Sequence, residues 1–328
     1  MSIYIKRYNR MKKTLLYILT LVLGCAPGMG QRTEMLPYGD FNSWVTRNIK
    51  ESHVIGGRQK QCYAIGPNTT ITGDRPYTNT GGSPWASSNV MAKVCGVTKV
   101  SNAVFPDERS GGNRCARLTT MMEECKALGI IDIDVLVAGT VFLGKMLEPV
   151  KSTSNPYSKM EMGIPFTGRP KALRYDYKLA IPDGDMIYSS GFGKKRTIAG
   201  HDKAEVFIYL QRRWEDADGN IYARRVGTGR ELLGRSTSGW VNDHRLRVRY
   251  GDISGQPGFN ANMGLIPEKK SYYARNSHGK MVPVCEVGWD NADATPTHLM
   301  VMFSSGSGEP YTGTPGMTFW VDNVGLVY

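Results

Sequence analysis

Three tryptophans stand in polar, turn-rich stretches: Trp85 in Ser83-Pro84-Trp85-Ala86-Ser87, Trp240 after Ser238-Gly239, and Trp289 before Asp290-Asn291. An indole face left in water packs against the C–H side of a pyranose, while amides, carboxylates and guanidiniums nearby bond its hydroxyls. Tyr272-Tyr273, just after a lysine pair, offers a second aromatic platform. Arg247, in the stripe Arg245, Arg247, Arg249, offers a cation for an acidic glycan. Two plainer readings compete: tryptophan is more often core than ligand, and a charged stripe is more often a solvated sheet face.

Hydrolysing a glycosidic bond takes two carboxylates facing the sugar from opposite sides, about 5–10 Å apart. Asp183, Asp185, Glu215, Asp290, Asp293 and Asp322 are candidates. Sequence spacing places no two of them across a cleft, so catalytic residues stay unassigned. Asp322 beside Asn323 reads as a hydrogen-bonding pair at a turn or sheet edge. Asp216-Ala217-Asp218-Gly219-Asn220 has the oxygens a structural calcium takes, but these are also the residues a hairpin turn prefers. The turn is favoured, and no cofactor is implied. Gly229 to Ser236 comes near a phosphate-binding loop, with Arg235 where that loop needs lysine and no helical pattern behind it. The five histidines are scattered, and no G-x-S-x-G or H-E-x-x-H occurs.

Such residues need a scaffold, and the pattern that sets it is two-residue alternation. Leu299, Val301 and Phe303 point one way, and His298, Met300 and Met302 the other. After a Gly/Ser/Pro-rich loop, Met317, Phe319 and Val321 share a face opposite Trp320 and Asp322. A period of two means strands. Ile130–Val137, Leu173–Leu179, Val206–Leu210, Ile221–Val226 and Leu246–Tyr250 repeat it, and Asp-Gly at 218–219 predicts a hairpin. Residues 66–92 read as a long surface excursion, Trp44 and Trp214 as core, and Met121–Leu128 as a short helix. About nine to twelve strands without repeats fit an all-β sandwich or jelly roll.

The chain has 328 residues, 41% hydrophobic and 10% aromatic, enough for a large core. Its net charge of +12 includes +5 from residues 1–31, leaving +7. No dense basic run with interleaved aromatics accompanies it, which argues against a nucleic-acid binder. Residues 1–30 read as an export signal: Lys12-Lys13 precede an apolar run from Leu15 to Leu23, too short to span a bilayer. Two processing readings stand side by side. Val22-Leu23-Gly24-Cys25 resembles a lipobox, making Cys25 a lipidated anchor; alternatively a signal peptidase cuts near Gly30. Beyond Cys25, five widely spaced cysteines leave at least one thiol free and give no zinc spacing.

Two stretches carry a family likeness: Met162-Gly163-Ile164-Pro165-Phe166-Thr167-Gly168-Arg169-Pro170 leading into Tyr175-Asp176-Tyr177-Lys178, and Phe303-Ser304-Ser305-Gly306 through to Trp320-Val321-Asp322-Asn323-Val324-Gly325. With Gly39-Asp40-Phe41 and Pro84-Trp85-Ala86-Ser87-Ser88-Asn89, they resemble the putative carbohydrate metabolism (PCMD) domain of exported Bacteroidetes proteins. The resemblance implies a jelly-roll-like β-sandwich similar to carbohydrate-binding modules, occupying 31–328 as one domain. It also implies a periplasmic or cell-surface location and a poly- or oligosaccharide partner, with the membrane reached only through a lipid anchor. It carries no catalytic residues. The expectation is a non-catalytic, carbohydrate-binding accessory protein. A glycoside hydrolase built on a carboxylate pair, or a structural adhesion subunit, is the alternative.

Overall fold

The computed structural model describes residues 31–94, 96–127, 131–152, 154–191 and 195–328. The expected signal segment 1–30, with Cys25, lies outside the described residues, as does Cys95. Compactness separates Met1–Thr33 from Glu34–Tyr328, and the second unit is the one treated below. Its elements are strands joined by turns; among the described residues there is no α-helix, only short 3-10 turns such as Pro156–Lys159 and Glu268–Lys270.

Two layers face each other. The front sheet runs Val241–Arg247, Ala172–Ala180, Thr318–Val327, Asn113–Thr119, Val104–Ser110, antiparallel throughout. Alternate residues of its strands turn inward: Leu173, Tyr175 and Leu179 on one, Phe319 and Val321 on the next, Ala116 and Leu118 on the third. They meet Val206, Ile208 and Leu210 of Ala204–Glu215 and Leu299, Val301 and Phe303 of His298–Ser304. Each such side chain, fully buried, contributes about 1.5–3 kcal/mol, so this interface is the main core.

The back layer closes on itself, with Trp85–Ser87 and Ile164–Pro165 attached outside the circuit. From His298–Ser304 it passes to Ala204–Glu215, Ile221–Leu233, Met281–Trp289, Tyr273–Arg275, Met160–Met162 and Thr140–Met146. Thr140–Met146 then pairs back onto His298–Ser304, matching Val141 with Phe303 and Phe142 with Met302. The layer is thus a closed, barrel-like ring. Gly144 makes part of the closure feasible: at φ 143° it passes so near Glu161 that a Cβ would lie 2.1 Å from that carbonyl oxygen.

The residues alternating with the main core fill the ring. Phe142, Met162, Phe207, Tyr209, Met300 and Met302 form one cluster there, and Ile221, Ala223, Val282 and Val284 another. An ion pair lies on the same wall. Arg225 Nε and Nη2 donate to the two oxygens of Glu286 at 2.6 and 2.5 Å, and both side chains are fully buried. Gln211 Nε2 donates to Glu286 Oε1 at 2.6 Å, and the Arg225 guanidinium lies 3.6 Å from the Tyr209 ring centroid. Burying these ions costs several kcal/mol each, which this matched geometry offsets.

Several expectations need correcting. Met121–Ala127 is a strand paired with Ile131–Val137, because cross-strand partners outweigh a weak local helical pattern. The 66–92 excursion contains the strand Trp85–Ser87, hydrogen-bonded to Thr140–Met146. Trp214 is 42% exposed and stacks on Tyr222 across the hairpin, while Trp44 is core as expected. Among the described residues the strands outnumber the nine to twelve expected, many of them only two or three residues long, while Ala204–Glu215 and Ile221–Leu233 run longer than their alternation suggested. The hairpin at Asp218-Gly219 is present, and the carboxylate of Asp216 accepts from the turn's own groups: Asp218 N, Asn220 N and Asn220 Nδ2.

Candidate functional site

The outer face of the front sheet carries one continuous row of charged and aromatic side chains. Register sets it: Phe105 pairs with Arg117, Arg117 with Trp320, and Trp320 with Lys178. Each is the outward alternate of a strand whose other residues build the core. Trp240, just before Val241–Arg247, extends the row onto a further strand.

Contacts join these groups end to end. Arg117 lies 4.7 Å from the Phe105 ring and ion-pairs with Asp107 at 3.4 Å. Trp320 Nε1 donates to Asp107 Oδ2 at 2.8 Å, which fixes the indole plane. The Lys178 ammonium sits 4.0 Å from the Trp320 centroid and 5.9 Å from that of Trp240. On the other side Arg109 lies 4.3 Å from Trp240. Trp240, Trp320, Arg117 and Lys178 all remain partly exposed. The row therefore offers ring surface beside cationic hydrogen-bond donors, the combination that holds a hydroxyl-rich ligand.

Beneath one end lies a carboxylate pair. Asp176 and Asp322, opposite each other in register, both accept from Nη1 of Arg109, at 2.8 and 2.6 Å. Asn113 Nδ2 donates to Asp322, and Asn323 Nδ2 and the Asp243 backbone N–H donate to Asp176. Burial pushes both carboxyls up. At Asp176 the hydrogen bonds from Asn323, Asp243 and Arg109 outweigh burial, and its pKa falls below the ordinary value. At Asp322 burial wins over Arg109 and Asn113, and its pKa stays above the ordinary value. Two carboxylates tuned in opposite directions suggest acid and base. Here, however, both are buried and the guanidinium fills the gap where a sugar would have to sit.

The expected site residues scatter. Trp240 belongs to the row. Trp85 does not: its side chain is fully buried, edge-on to Phe41, with Nε1 donating to the Pro37 carbonyl at 2.9 Å, so it shows no face to a ligand. Trp289 is on the barrel wall, half-buried, beside the Arg212–Asp290 ion pair. Tyr272 turns to the barrel, edge-on to Tyr157 with centroids 5.4 Å apart, and the Tyr273 hydroxyl accepts from Asn155 Nδ2. Arg247 is exposed, at the far end of the strand that Trp240 precedes. Of the candidate carboxylates, Asp183, Asp185 and Asp293 are exposed, Glu215 accepts from Ser277, and Asp290 pairs with Arg212. Asp322 alone of them joins a second carboxylate, and it does so on a central strand, not at an edge.

Sequence reasoning missed Lys178, Trp320, Arg117, Arg109 and Asp176 as site residues. The signal was present for three of them: Asp176 and Lys178 are the polar alternates of Leu173, Tyr175 and Leu179, and Trp320 stands opposite Met317, Phe319 and Val321.

The profile of the putative carbohydrate metabolism domain matches residues 57–228, a span that includes Asp107, Arg109, Arg117, Asp176 and Lys178. Among solved structures the chain is similar to a putative glycoside hydrolase from Bacteroides thetaiotaomicron VPI-5482, at 15% identity over 92% of this chain and 94% of that one, with a TM-score of 0.45. It is also similar to a putative glycoside hydrolase from Bacteroides vulgatus ATCC 8482, at 14% identity over 90% and 94%, with a TM-score of 0.41. No curated protein matches the chain closely enough to stand as a relative. With more than half its length matched by the one profile, the chain belongs to the putative carbohydrate metabolism domain family.

Proposed function

We propose that this protein is an exported accessory protein that holds a poly- or oligosaccharide on the outer face of its front sheet without cleaving it. One observation carries the reading: Trp240 and Trp320 share Lys178 between them in a row flanked by Arg117 and Arg109, all on one open sheet face. Carbohydrate-binding modules with a jelly-roll sandwich present ligands in this way, and that is the finer fold description proposed here. Export, with either a lipid on Cys25 or cleavage near Gly30, rests on the signal-like residues 1–30. The family's link to carbohydrate metabolism supports the ligand class.

Affinity electrophoresis in gels containing host and dietary polysaccharides tests it. The native chain is retarded by at least one acidic or neutral polysaccharide, and Trp240→Ala is retarded less. A chain that runs unretarded across a broad panel would remove the reading.

A second reading, glycoside hydrolysis, is favoured by one observation, the oppositely tuned Asp176 and Asp322. It requires release of reducing sugar that Asp176→Asn abolishes, and it requires Arg109 to leave its place between them.

A further inference from the structure

A separate concavity, away from the front sheet, divides into two adjoining compartments of opposite character. The first is a mainly apolar cavity of about 270 Å³ walled by Val90, Ala92, Val97, Val135, Phe142 and Val150, with Lys159 and the Lys99–Glu123 ion pair also in its lining. An apolar cavity of about 150 Å³ accepts benzene, so this one has room for a longer hydrocarbon. Its walls are not sealed: Val90, Ala92, Val94 and Val97, on the hairpin Val90–Val94/Val97–Ser101, stay partly exposed.

The second compartment, about 210 Å³, lies at the barrel mouth and displays Glu205, Ser304, Glu309, Tyr157 and Tyr272. Val137, Thr140, Pro156, Met160 and Tyr311 line both compartments, so one ligand can occupy the two together. The charges in the polar compartment are already balanced. Glu205 Oε1 lies 2.6 Å from Arg230 Nη2, and Glu309 pairs with Lys270. A cationic head group would find both carboxylates already paired, and an anionic one would have to be buried beside them, since Lys159 lines the apolar compartment and not this one. A hydroxylated neutral head meets carboxylate acceptors and the rings of Tyr157 and Tyr272, which pack edge-on against each other.

We propose that the paired compartments bind a non-ionic amphiphile, with a single alkyl chain in the apolar cavity and a hydroxyl-rich head such as one hexose at the barrel mouth. The site uses none of the front-sheet residues and stands whether or not the polysaccharide reading does.

Calorimetry on the full chain with hexyl and octyl β-glucoside below their micelle concentrations, glucose and octanoate decides it. Each added methylene should tighten binding about three- to four-fold, so octyl glucoside binds roughly ten-fold more tightly than hexyl glucoside. Glucose gives no measurable heat, and octanoate binds at least ten-fold more weakly than octyl glucoside. Val97→Asp, or Ala92→Phe if that variant does not fold, weakens octyl glucoside at least ten-fold, while Trp240→Ala leaves it unchanged. Equal affinity for the two glucosides, equal affinity for octanoate and octyl glucoside, or a folded cavity variant that binds like the native chain would each overturn the proposal.

Discussion

Asp176 and Asp322 lie opposite each other on neighbouring central strands, and their Oδ2 atoms bond the same guanidinium nitrogen of Arg109. The arrangement explains why a carboxylate pair sits under a sheet that also carries tryptophans. The acids hold Arg109 in place, and Arg109 in turn lies against Trp240.

Arg109→Met should therefore act on stability first. Removing one partner of a buried charge cluster costs about 3–5 kcal/mol, because the remaining charges stay buried and unpaired. Urea melts at pH 7 measure it. Adding Asp322→Asn should recover part of the loss, since Asp322 is the carboxyl that burial already disfavours as an anion. A double variant no more stable than Arg109→Met would contradict the shared-guanidinium account.

Binding is expected to follow the row. Trp240→Ala and Trp320→Ala should each weaken polysaccharide retention about five- to ten-fold, in line with about 1–1.5 kcal/mol for a lost ring contact. Trp289→Ala should have little effect, because its ring belongs to the barrel wall. Affinity electrophoresis compares the three.

His298 should make stability depend on pH. Burial, aided by nearby Arg213, lowers its pKa from 6.5 to about 4. The unfolded chain then takes up the proton first as pH falls. The contribution of His298 is full above pH 6.5, declines between 6.5 and 4, and is gone below. Allowing for its partial exposure, the loss is about 1–2 kcal/mol. Denaturant melts at pH 7 and pH 4.5 should show a smaller drop for His298→Gln than for the native chain.

The Arg225–Glu286 pair gives a contrast between single and double replacement. Arg225→Met alone should destabilise by about 3–5 kcal/mol, while Arg225→Met with Glu286→Leu should cost much less, because no lone buried charge remains. Equal losses in thermal melts would mean that the pair contributes more than mutual neutralisation.

Thiol reactivity should follow burial. Burial pushes Cys62 and Cys115 up to about 12, leaving almost no thiolate at pH 8. Peptide mapping after iodoacetamide should find Cys285, which is only partly buried, modified before either of them in the native chain. In urea the three should react alike.

Much of the scaffold was legible because alternation is a local property. Leu299, Val301 and Phe303 face the main core and Met300 and Met302 the barrel, as their spacing predicts. What the spacing does not contain is partnership. Trp85 and Trp240 stand in similar polar surroundings, yet a strand pairing with Thr140–Met146 carries Trp85 inside and nothing does so for Trp240. Arg109 meets Asp322 across 213 positions of sequence, a contact that only the strand order creates. The ring closure is invisible for the same reason, since it depends on Thr140–Met146 meeting a strand near the other end of the chain.

A sheet that shuts on itself exposes no free backbone rim along its circuit, so a neighbouring chain cannot lengthen it by laying down another strand. The front layer keeps two rims, and each is blunted: Pro106 and Glu108 on one outer strand, Arg245 and Arg247 on the other. Along these two layers a second copy of the chain finds little bare backbone to extend.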